Sequence, residues 1–87
     1  LMSKSINFME DIKAYPNPSA GLFKLYIPNS LKTIELEVYS IHSQLMSNKT
    51  YPVNGGKVEL NIEDKPNGIY FVKVNIAKPV FIKLIKK

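Results

Sequence analysis

The chain has 87 residues, enough for one domain, because a second would have no core of its own. Its formal net charge of +5 comes from twelve basic residues, all lysine, against seven acidic ones; arginine, whose planar fork reads phosphates and base edges, is missing, and the lysines run from Lys4 to Lys87 without a dense stripe, so no nucleic-acid partner is expected. With no cysteine there is no disulfide framework or thiolate metal site, and no run approaches the ~18 apolar residues of a membrane-spanning helix, so no membrane insertion is expected.

Residues 1–11 mix polar and apolar positions without a clear period, which reads as a linker or a loosely attached first strand. The domain proper, residues 12–87, begins near Ile12. Tyr15-Pro16-Asn17-Pro18 follows. Each proline locks its own φ near −65° and biases the residue before it toward extended geometry, so no helix holds this segment and a strand entering it must stop. Gly21 permits a left-handed turn, after which Leu22 to Ile27 restart an extended run, with Phe23, Leu25 and Ile27 on one face and Lys24 on the other. The segment therefore reads as strand, rigid corner, strand.

Pro28-Asn29-Ser30 punctuates the chain as a turn. Ile34, Leu36 and Val38 then alternate with Glu35, Glu37 and Tyr39, the period-2 pattern of a strand with one buried face. Beyond the Asn54-Gly55-Gly56 turn, Val58, Leu60 and Ile62 repeat that pattern against Lys57, Glu59 and Asn61. After Pro66-Asn67-Gly68, the runs Ile69 to Ile76 and Val80 to Ile85 are apolar at nearly every position except Lys73, Asn75 and Lys83. Such runs are expected of strands covered on both faces, at the centre of a sheet or in an interface. Pro79 separates the pair. No stretch carries helical spacing long enough to compete, so the fold is expected to be all-β, a small antiparallel β-sandwich, immunoglobulin-like, of about seven strands.

Catalytic constellations are missing from this pattern. The single histidine, His42, falls in a polar turn segment; Glu35 and Glu37 share a solvent-facing strand face; Glu63-Asp64 sits in a turn; and four glycines form no phosphate-cradling array. The expectation is no enzyme, no cofactor and no metal. Tyr26, Tyr39, Phe71 and Phe81 fall at outward positions, where aromatics gathered on one sheet would make an interaction surface; the plainer alternative places them in the core or at its edges.

Three ordered blocks give the chain a family likeness over Ile12 to Lys87. The first is Tyr15-Pro16-Asn17-Pro18 with Gly21 and Phe23. The second is Ile34 to Met46, a strand, turn and strand. The third is Leu60-Asn61-Ile62 followed by Asn67-Gly68-Ile69-Tyr70-Phe71-Val72-Lys73-Val74, and the chain ends in Lys83-Leu84-Ile85-Lys86-Lys87. Together they resemble the type A C-terminal sorting domain of proteins that leave Bacteroidetes-type bacteria through the type IX secretion system. Ser40 and Ser43 depart from the family, which often has an aspartate after the aromatic and a glycine in that turn, so a wider or differently shaped turn is expected.

The resemblance implies a folded signal at the end of a cargo protein. It would be recognised by the outer-membrane translocon and a shuttle protein, then severed by a cell-surface sortase that can attach the cargo to an anionic lipopolysaccharide. It further implies that the chain is the tail of a larger upstream cargo, since Leu1-Met2-Ser3-Lys4 lacks an apolar signal core, and that residues 1–11 hold the cleavage zone. The route would lead through the periplasm to the cell surface or the extracellular space. The sorting motif would comprise Tyr15, Pro16, Asn17, Pro18, Gly21, Phe23, Gly68 and Tyr70, and the C-terminal signal strand Lys83, Leu84, Ile85, Lys86 and Lys87. In physical terms the corner would present a fixed surface, Gly68 would let Tyr70 pack inside, and a terminal strand at a sheet edge would offer main-chain groups to a partner or a dimer mate. The competing reading is a carbohydrate-binding, protein-binding or spacer module of a secreted protein, built on the outward aromatics.

Overall fold

Alternating side chains dictate a sheet with one apolar face, and such a sheet has to bury that face against another element. The computed structural model, which describes residues 12–27 and 31–87, solves this with a second sheet. The linker expected at residues 1–11 and the Pro28-Asn29-Ser30 turn lie outside the described residues.

Seven strands follow in chain order: β1 (Lys13–Tyr15), β2 (Leu22–Tyr26), β3 (Thr33–Ser40), β4 (Leu45–Pro52), β5 (Lys57–Asn61), β6 (Gly68–Asn75) and β7 (Val80–Lys86). They form one sheet in the order β1-β2-β5 and another in the order β4-β3-β6-β7, with every strand pair antiparallel. No helix occurs among the described residues. The partition is that of an immunoglobulin constant domain with its fourth strand moved to the opposite sheet.

The inward positions match the alternation. Phe23, Leu25, Leu36, Val38, Val58 and Leu60 are fully buried, and Tyr70, Val72, Val74, Ile82 and Leu84 complete the core from β6 and β7. The near-continuous apolar runs of the last two strands have a different cause from the one expected. β6 lies inside its sheet but β7 is an edge strand, and both keep strict alternation, with Ile69, Phe71 and Ile85 only half-buried on the outer face. Those runs therefore record an apolar outer face, not cover on both sides.

β4 is the strand least visible in the sequence. None of its residues is buried, and it is a strand because it pairs with β3 from Thr33↔Pro52 to Tyr39↔Leu45, with a bulge at Val38/Tyr39. Two serines shape the β3–β4 turn. The Ser40 hydroxyl oxygen accepts from the His42 and Gln44 N–H groups at 3.1 and 3.2 Å, and Ser43 takes the left-handed conformation at φ 65°.

Candidate functional site

The two motifs that lie farthest apart in sequence meet on one sheet edge. Ser19 forms a parallel bridge with Lys86, its N–H donating to Ile85 O at 3.0 Å while its carbonyl accepts from Lys87 N–H at 2.9 Å. Two residues earlier, Asn17 continues the ladder with its side chain. Its Nδ2 donates to Lys83 O at 2.8 Å and its Oδ1 accepts from Ile85 N–H at 2.9 Å. A carboxamide carries one donor group and one acceptor in the layout of a peptide unit, so Asn17 acts as a strand residue turned sideways. The segment Asn17–Ser19 thus clasps the C-terminal half of β7.

The local sequence explains the clasp. Both peptide bonds preceding the prolines, Tyr15–Pro16 and Asn17–Pro18, are cis. The prolines also remove two N–H groups that would otherwise compete for acceptors. The Ser19 hydroxyl then closes the return, donating to Leu22 O at 2.7 Å and accepting from Gly21 N–H at 3.1 Å. At Gly21 only glycine fits: φ is +136°, and an added Cβ would lie 2.7 Å from Glu63 Cα. Its carbonyl accepts from Ile62 N–H at 2.8 Å, tying the corner to the end of β5.

The remaining motif residues divide between this site and the core. Phe23 is fully buried opposite Leu60, and Leu84 is fully buried on β7. Tyr70 is buried, with its hydroxyl donating to Pro66 O at 2.5 Å. Gly68, at φ +153°, lies opposite Lys86, a buried residue whose ammonium donates to Asn67 Oδ1 at 3.1 Å. Gly68, Lys86 and Ser19 therefore form one row across the end of the sheet. Tyr15 is exposed and meets Tyr26 edge-on, ring centroids 5.8 Å apart. Pro16, Pro18, Lys83 and Lys87 are exposed, and Ile85 is half-buried.

Sequence reasoning anticipated the corner and the terminal strand separately and missed their contact. The available signal was Asn17 itself, an amide held between two residues that have no N–H to offer.

The outward aromatics divide between the two sheets, with three of the four gathered on one. Tyr26 projects from the β1-β2-β5 sheet. Tyr39, Phe71 and Phe81 line a hollow of about 370 Å³ with Ser43 on the other. The Tyr39 hydroxyl donates to one carboxylate oxygen of Glu37, and Asn75 Nδ2 donates to the other at 2.9 Å. The phenol and then the amide hold the Glu37 carboxyl below its ordinary range, and the same bond to Glu37 pushes the Tyr39 phenol up. His42 is exposed in its turn, and among the described residues no group of three His, Asp or Glu is placed to hold a metal.

The arrangement defines a small all-β module whose opening motif is hydrogen-bonded to its last strand. A family model described as the secretion system C-terminal sorting domain matches residues 13–87, so the chain belongs to the family of type IX secretion C-terminal sorting domains. Membership makes it a sorting signal for cargo exported to the cell surface or the extracellular space. A comparison with curated proteins finds no match.

Proposed function

We propose that the domain directs an upstream cargo across the outer membrane as a folded signal. A shuttle protein and the translocon would receive it, and a sortase would then sever it within residues 1–11. The observation that carries this reading is the clasp. Asn17 of the opening motif and its neighbour Ser19 are joined to the terminal strand by four hydrogen bonds on a solvent-facing sheet edge, where a receptor could read both segments at once. Buried motif residues such as Phe23 and Tyr70 support that surface from inside.

The test places residues 1–87 behind a signal peptide and a reporter in a host with a working type IX system. The reporter is expected in the medium or on the surface, and retention in the periplasm would overturn the proposal. Mass analysis of the released reporter locates the cut, expected within residues 1–11. A second reading, a carbohydrate-binding module, draws on the hollow between Tyr39, Phe71 and Phe81. It requires glycan-array binding that disappears in folded Phe71→Ala protein.

A further inference from the structure

Among the described residues, the clasp covers only part of the β7 edge. Hydrogen bonds to Lys83 O, Ile85 N–H, Ile85 O and Lys87 N–H show that odd-numbered residues of this strand turn their main-chain groups away from β6. The β6–β7 register runs unbroken from Gly68↔Lys86 to Val74↔Val80, so the alternation extends back along the strand. Phe81 N–H, Phe81 O and Lys83 N–H therefore point outward as well, beyond the reach of Asn17. Open strand edges invite pairing.

The surroundings of these three groups are unlike those of an ordinary protected edge. Phe81 is 62% exposed, the highest value among the described large hydrophobics, and flanks the hollow it shares with Phe71 and Tyr39. Lys83, exposed on the same outer face, lies opposite Phe71. Lys73, which pairs with both Glu37 and Phe81 on that face, offsets the Glu37 carboxylate, which leaves Lys83 to set the local charge beside the edge. A strand added here would lay alternate side chains over Phe81 and Lys83, two residues apart on one face.

We propose that the partner-binding edge is the N-terminal half of β7, Val80–Lys83, and that it receives an extended segment of the secretion machinery carrying an apolar side chain and a carboxylate at alternate positions. The terminal lysines, by this account, belong to the clasp and its support. The inference rests on the sorting reading and names the surface through which that reading operates.

Proline tests it directly, because at an outward-facing N–H of an edge strand proline removes the docking donor without breaking the ladder to β6. The fusion of residues 1–87 is compared with its Phe81→Pro and Lys83→Pro forms, each checked for folding by thermal unfolding. Wild type is expected to be secreted, and each folded proline variant to fall by about tenfold, the value of one to two lost hydrogen bonds in an equilibrium. Phe81→Asp with Lys83→Glu keeps both N–H groups and reverses the face chemistry, so it decides the matter if a proline form fails to fold. It too is expected to reduce secretion. Wild-type levels from the folded variants would overturn the edge assignment alone, whereas a wild-type fusion retained in the periplasm would overturn the sorting reading and this inference with it. A wild-type domain that sediments as a dimer, made monomeric by Phe81→Pro, would assign the edge to a second copy and overturn the partner named here.

Discussion

Asn17→Ala isolates the clasp, because it removes the two side-chain hydrogen bonds and leaves the Ser19 bridge in place. Each bond, at 2.8 and 2.9 Å, has near-ideal length. A typical intramolecular hydrogen bond is worth about 0.5–1.5 kcal/mol net, and water reaches this exposed edge to replace what is lost. The expected cost is therefore about 1–2 kcal/mol, which lowers the melting temperature of a domain this size by roughly 5–15 °C. Thermal unfolding by circular dichroism measures the shift, and hydrogen exchange at the Ile85 amide localises it. Asn17→Asp keeps the acceptor for Ile85 N–H and loses the donor to Lys83 O, so it should retain Ile85 protection while losing part of the stability. A melting temperature within about 1 °C of wild type for Asn17→Ala, with unchanged exchange at Ile85, would refute the claim that this side chain completes the edge.

Three further perturbations test separate parts of the structure. Gly21→Ala sets a Cβ 2.7 Å from Glu63 Cα at a φ of +136°; overpacking and backbone strain together predict a loss of about 3 kcal/mol in urea unfolding. Ser43→Gly relieves a left-handed serine at φ 65° but adds freedom to the unfolded chain, for a net gain of about 0.5 kcal/mol in the same assay. The Glu37–Tyr39 bond gives a two-sided pH dependence. The lowered carboxyl pKa adds stability above the unfolded carboxyl value that is lost as pH falls through the folded one, and the raised phenol pKa adds stability below the unfolded phenol value that is lost as pH rises through the folded one. The stability difference between wild type and Tyr39→Phe should thus be greatest near neutral pH and shrink in both acid and alkali; a flat difference across the range would contradict the bond.

The fold was legible wherever alternation was strong. Ile34/Leu36/Val38 and Val58/Leu60/Ile62 announced their strands because one face of each is buried, and the turn residues set the spacing between them. β4 was not, because its inner face carries Ser47, Lys49 and Tyr51 and its strand geometry comes from pairing with β3. The position of β7 was equally hidden. An apolar outer face and cover on both sides give the same composition, and only sheet order tells an edge from a centre. Of the candidate site, the individual motifs were visible and their union was not, since a contact between Asn17 and Ile85 leaves no local periodicity.

That separation also decides how the signal has to be tested. Asn17 and Ile85 lie 68 positions apart, and they become neighbours only after β7 has paired with β6 and presented its edge. Removing Val80–Lys87 removes three things together: the core side chains Ile82 and Leu84, the main-chain partners of Asn17, and the open edge at Phe81. Loss of export in that truncation is the expected result, but each of the three would produce it. Single substitutions pull them apart. Leu84→Ala weakens the core by about 2–5 kcal/mol and leaves every outward main-chain group in place; Asn17→Ala opens the clasp and leaves the core; Lys83→Pro closes the edge and leaves both. If export follows stability, Leu84→Ala is the worst of the three. If it follows the edge, Lys83→Pro is the worst while melting close to wild type, and that inversion of the stability order is what a recognition surface on β7 demands.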